Sequence, residues 1–132
     1  MPQAKGPFEV KIVPQPPDAG APDAPVVRMS IDKQFHGDLD AAGKGQMLTA
    51  GSPSSSAVYV AIERVTGTLH GRKGSFVLHH TGIMTRGQPQ LTIAVAPDSG
   101  TEELAGISGN LSIETVDGKH FYSFDYTLPE TP

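Results

Sequence analysis

The stretch YVAIERVTGTLHGRKGSFVLHHTG, residues 59–82, limits most tightly what this chain can fold into. Successive side chains of an extended segment point to opposite faces, so Tyr59, Ala61, Glu63, Val65, Gly67 and Leu69 share one side. Val58, Val60, Ile62, Arg64 and Thr66 share the other. Gly71 and Gly74 bracket Arg72 and Lys73 and supply the positive φ values of a hairpin connection. The reading is two long strands, 57–70 and 75–86, joined by a four-residue loop. Both faces are largely apolar. Either one face packs against a second subunit or the interior is partly polar.

A long apolar hairpin has edges to protect, so the rest of the chain must supply more strands. Residues 8–13 alternate Phe8, Val10 and Ile12 against Glu9 and Lys11. Residues 14–25, PQPPDAGAPDAP, hold five prolines and read as an extended loop, a connector rather than a lid. From 26 to 39, Met29, Ile31, Lys33, Phe35, Gly37 and Leu39 fall on one face. Gly43-Lys44-Gly45 reads as a turn, 46–50 as a short strand and the serine-rich 51–56 as a loop. Leu91, Ile93 and Val95 mark a strand at 90–96. Residues 101–109 read as a bend or bulged strand edge leading into a strand at 110–116. Asp117-Gly118 is a hairpin signal. The last strand, 120–128, alternates His120, Tyr122, Phe124 and Tyr126 against Phe121, Ser123 and Asp125.

Fifteen glycines and twelve prolines between short apolar runs suit an all-β chain. At 132 residues it fits a single domain that buries roughly two-thirds of its unfolded surface. About eight short strands, mostly antiparallel, must be stacked or closed. A small closed antiparallel barrel is favoured over a sandwich, with room for side chains or one small ligand.

The net charge of −4 comes without a basic stripe, which argues against a nucleic-acid partner. No run approaches the ~18 apolar residues that span a bilayer, and the N-terminus lacks a cleavable apolar stretch, so no membrane partner is expected. The absence of cysteine excludes disulfides, thiolate metal sites and a cysteine nucleophile, and suits a reducing, cytoplasmic compartment. The absence of tryptophan leaves a lipocalin pattern without support.

Four landmarks, KQFHGDL at 33–39, the opening stretch at 59–82, SGTEELAGISG at 99–109 and FYSFDYTL at 121–128, together resemble the allene oxide cyclase-like barrel. More closely, they resemble a bacterial family of unknown function that shares that fold. The resemblance implies an eight-stranded antiparallel barrel, often oligomeric, with an apolar central cavity that shapes a hydrophobic substrate. Where the plant cyclases carry a cysteine after the GDL landmark, this chain has Gln46-Met47-Leu48.

Glu63, buried near the phenol of Tyr59, would have its pKa raised by desolvation toward an acid–base range. The structural alternative is that Glu63 pairs with an arginine and holds the barrel together. His79 and His80 face opposite sides. His80 shares its side with Phe76, Leu78, Gly82 and Met84, and is either a satisfied core histidine or a proton donor and acceptor toward a ligand. Glu63, His80 and Tyr59 are the candidate catalytic residues. Phe76, Leu78, Met84, Arg86, Tyr122 and Phe124 are the candidate ligand-binding residues, with Arg86 at the cavity rim. His36, His70 and His120 lack the His-x-His spacing of metal-binding barrels, so no metal is expected, and no cofactor. No Gly-x-Ser-x-Gly elbow supports a serine hydrolase.

The function expected is binding of a hydrophobic small molecule in the central cavity, with isomerase or cyclase chemistry by proton transfer. The alternatives are a non-catalytic carrier, or an interaction module whose barrel is filled by its own side chains. The apolar outer parity predicts a homo-oligomer.

Overall fold

Three of the connections are two-residue turns with positive φ at both central positions: His70-Gly71 (47° and 80°), Arg86-Gly87 (45° and 87°) and Asp117-Gly118 (52° and 78°). Turns of this hand match the right-handed twist of the strands they join, and so fix the register of the hairpins. The structure is a computed structural model and describes residues 2–15, 26–51 and 55–129.

Eight strands run in chain order: β1 (Gln3–Pro14), β2 (Val27–Phe35), β3 (Leu39–Gly51), β4 (Ala57–Leu69), β5 (Arg72–Thr85), β6 (Gln88–Val95), β7 (Ser108–Val116) and β8 (Lys119–Thr127). Each pairs antiparallel with its neighbours, and β8 returns to β1, closing the barrel. The closed all-β barrel read from the alternation is therefore the fold. Among the described residues no helix is long and apolar enough to cross a membrane.

Two sequence readings are corrected. Gly43-Lys44-Gly45 is no turn but the middle of β3, a continuous strand of thirteen residues. Strand pairing places Gly43 and Gly45 beside Val65 and Glu63 of β4, and the missing side chains leave room for what β4 points inward. The connection at 71–74 shortens to His70-Gly71, and β5 starts at Arg72. The segment read as a bend at 101–109 holds one 3-10 turn, Glu102–Leu104. Most of the proline-rich loop and part of 51–56 lie outside the described residues.

The end of the barrel that carries the turns at 36–38 and 70–71 is solid. Phe35, Leu39, Leu69, Phe76, Leu78, Leu104 and Phe124 are at most 1% exposed there. Phe76 stacks on Phe124 with centroids 5.6 Å apart, and Phe35 meets Tyr122 edge-on at 5.5 Å. The 96–107 segment folds under this end as a plug. Thr101 Oγ1 accepts the Ser75 N–H at 3.0 Å, and Leu104 and Ile107 enter the core.

The opposite end, with the turns at 86–87 and 117–118, is looser. Inward-parity Met29, Met47, Tyr59 and Met84 are only half-buried, and Ile12 and Leu91 are 46% and 45% exposed. Around the circumference, β6 and β7 join through one residue pair, Ala94 with Asn110. Every other neighbouring pair of strands shares at least six.

Candidate functional site

Glu63 of β4 is completely buried, and an isolated carboxylate cannot be held there without partners. Inward parity brings two. Lys33 of β2, 6% exposed, places Nζ 2.8 Å from Glu63 Oε1. His80 of β5, 4% exposed, places Nε2 2.7 Å from the same oxygen. A carboxylate oxygen only accepts, so His80 presents its Nε2–H and Lys33 one of its ammonium protons. The aromatic rings of Phe8 and Phe35 lie 5.4 and 5.7 Å from Lys33 Nζ and cushion the cation.

Burial pushes the Glu63 carboxyl upward. The hydrogen bond from His80 and the charge and hydrogen bond of Lys33 more than reverse this, leaving the group below the ordinary carboxylate range. The expectation of a raised Glu63 is thus overturned by its two donors. The partner is a lysine from β2, not an arginine. Tyr59 is raised, first by burial and then by the Glu63 charge, so its phenol stays protonated at neutral pH.

The second oxygen, Oε2, is the one buried side-chain nitrogen or oxygen among the described residues with no hydrogen-bond partner. It points at Gly43, where an added Cβ would sit 2.4 Å from it. Gly82 plays the same part for Tyr59: a Cβ there would meet the ring at Cε1 and Cδ1. Two glycines thereby set the positions of the carboxylate and the phenol. Tyr59 and His80 rings lie 6.4 Å apart.

A cavity of about 310 Å³ opens at the loose end, lined by Thr49, Tyr59, Gly82, Met84, Pro89 and Leu91 among others; Lys33, Glu63 and His80 lie beneath Tyr59 and do not line it. Of the sequence candidates, the structure brings together Glu63, His80 and Tyr59, and sets Met84 beside Tyr59 in the cavity wall. Phe76, Leu78, Tyr122 and Phe124 instead belong to the solid core on the other side of the cluster. Tyr122 acts there as a hub: its hydroxyl accepts the Leu39 N–H at 2.8 Å and donates to the His36 carbonyl at 2.6 Å. Arg86 leaves the strand and sits exposed in the β5–β6 turn.

Lys33 is the residue that sequence reasoning missed as part of a site. Its signal was present: a cation on the parity of Met29, Ile31 and Phe35 needs an inward carboxylate, and Glu63 is one. Among the described residues no group of three or more His, Cys, Asp or Glu is placed to hold a metal ion.

A small closed antiparallel barrel with Lys33, Glu63 and His80 buried together inside it is the class that fold and site define. The chain belongs to the family described as "Protein of unknown function (DUF3224)", which it matches over residues 4–126. It is similar to a crystal structure of a protein of unknown function from that family, from Shewanella oneidensis MR-1. The two are 44% identical, each is covered over 99% of its length, and the TM-score is 0.90. No curated protein matches the chain.

Proposed function

We propose that this barrel binds a hydrophobic small molecule at its loose end, and that a hydrogen-bond donor of that molecule passes Tyr59, which lines the cavity, to reach Glu63 beneath it. The carrying observation is the partnerless Oε2 of a carboxylate whose other oxygen already takes two donors. Leaving such an acceptor unmet costs roughly 1–3 kcal/mol, which a ligand hydroxyl or amide recovers. Half-buried Met84 and the adjoining Tyr59 give the cavity an adaptable, mainly apolar wall. The lowered Glu63 pKa favours binding over proton abstraction, because a carboxylate far below the working pH is a weak base. Isomerase or cyclase chemistry through Glu63, His80 and Tyr59 requires the ligand to displace Lys33 or His80 and so restore basicity.

A matched probe pair tests the reading. By isothermal titration, 2-naphthol should bind about tenfold more tightly than naphthalene, the worth of one charge-assisted hydrogen bond. Equal affinities would remove Glu63 from the site. Incubation with a cell extract followed by mass spectrometry of bound material separates carrier from catalyst: a chemically altered ligand supports turnover.

The outer face of β3–β5 supports self-association. Leu48, Val60 and Ile62, 46%, 47% and 64% exposed, adjoin across the strand register. A monomer at micromolar concentration in analytical ultracentrifugation would rule this out. The cysteine-free sequence supports a reducing, cytoplasmic setting.

A further inference from the structure

The solid end of the barrel carries a second constellation, apart from the Glu63 cluster. His70 occupies the left-handed region, φ 47°, in the β4–β5 turn, a conformation that costs a non-glycine residue free energy. Its backbone N–H donates to the Asp38 carbonyl at 2.8 Å. Its ring bridges two groups: Nε2 lies 3.7 Å from Asp38 Oδ2, and Nδ1 hydrogen-bonds the Tyr126 hydroxyl. Asp38 is itself fixed, since Oδ2 accepts the Lys5 N–H at 3.0 Å.

Beside this Asp38–His70–Tyr126 chain lies a cavity of about 720 Å³ lined by Pro2, His70, Arg72, Tyr126, Leu128 and Pro129, with Thr127. Its walls are held in place. The Pro2 carbonyl accepts the Tyr126 N–H at 3.2 Å, and the Pro129 ring covers Gly106, where an added Cβ would meet Cγ at 2.5 Å. Arg72 makes no ion pair among the described residues. The cavity thus offers an uncommitted guanidinium fork, a phenol and three apolar rings or side chains.

We propose that this end is a second ligand site, taking the carboxylate of an apolar-bodied acid between Arg72 and Tyr126. A guanidinium meets a carboxylate through two parallel N–H···O bonds, and Pro2, Leu128 and Pro129 cover the apolar body. With Asp38 facing Nε2, the free protein holds His70 with its proton there, and Nδ1 accepts the Tyr126 O–H. An arriving carboxylate seated on Arg72 competes with Nδ1 for the Tyr126 O–H. The phenolic O–H then turns from the ring to the ligand oxygen, which changes the hydrogen bonding of His70 Nδ1. The charged and titratable groups facing His70 are Asp38 of the β2–β3 turn, Tyr126 of β8 and Arg72 at the start of β5. Burial raises the phenol, an effect that Arg72 offsets in part and Asp38 reinforces, so Tyr126 stays a donor.

The test is nitrogen-15 NMR of the histidine rings of the full chain, titrated with sodium benzoate, sodium acetate and inorganic phosphate at constant ionic strength and pH. Benzoate should shift the His70 Nδ1 resonance saturably as its bond from Tyr126 is lost, with a millimolar dissociation constant. Acetate should bind more weakly, and the His80 ring should not move. Arg72→Gln, an exposed change that spares the core, should weaken benzoate about tenfold. The proposal fails if benzoate and acetate act alike without saturation, or if the benzoate dissociation constant read from the His70 shift is unchanged in Arg72→Gln. It fails equally if phosphate binds more tightly than benzoate.

Discussion

The two halves of this barrel divide at the Lys33–Glu63–His80 layer, and they are built from different materials. On one side, phenylalanines and leucines at most 1% exposed pack against one another. On the other, Met84, Tyr59 and Thr49 stand half-covered around an open cavity. A closed sheet of one strand number produces both, so the difference lies in the inward side chains and not in the frame. Large rigid groups fill the solid half, whereas flexible or absent side chains leave space in the other. The charged layer is the boundary at which filling stops.

The sharpest way to break the contrast is to remove a large group from the solid half. Phe124→Ala should cost about 4 kcal/mol in urea denaturation, because its ring contacts with Phe76 and Tyr126 vanish and the site cannot collapse. Lys33→Met should follow at about 3 kcal/mol, since it strands a buried carboxylate on His80 alone. Adding Glu63→Leu to that variant should recover most of the loss, which tells an unpaired charge from lost packing.

The same layer sets a pH response. The Glu63 pKa is lower folded than unfolded, so its contribution is full above the unfolded value of about 4.3 and is lost as pH falls through the folded value. Urea midpoints measured from pH 7 down to pH 3 should therefore drop more steeply for the native chain than for the Lys33→Met/Glu63→Leu protein. Gly82→Ala should cost about 2 kcal/mol by driving a methyl into the Tyr59 ring, and should weaken naphthol binding at the same time. Met84→Ala, in the open half, should cost about 1 kcal/mol or less, because half of its contact is with solvent. A Met84 cost matching that of Phe124 would erase the distinction between the halves.

The barrel was legible because period-two alternation and dipeptides such as Asp117-Gly118 are local signals. Glu63, His80 and Tyr59 could be placed on one interior by parity alone. The ion pair could not, because Lys33 lies thirty residues from Glu63 and meets it only across β3. Gly43 and Gly45 hid that strand by looking like a turn. They are glycines for the same reason the cluster exists, since Glu63 Oε2 occupies the space a side chain at 43 would fill. The solid core was misassigned to ligand contact because an aromatic stripe such as Tyr122 and Phe124 reads identically whether neighbours fill the space before it or not.

The single residue pair between β6 and β7 makes the wall mechanically a split collar and not a hoop. Outward pressure on a hoop must stretch every ladder around it, whereas a collar yields at its gap while the other seven joints keep their bonds. Leu91 of β6, on the strand that carries this joint, also lines the cavity beside Tyr59, so the weakest seam of the wall and its open cavity share one strand.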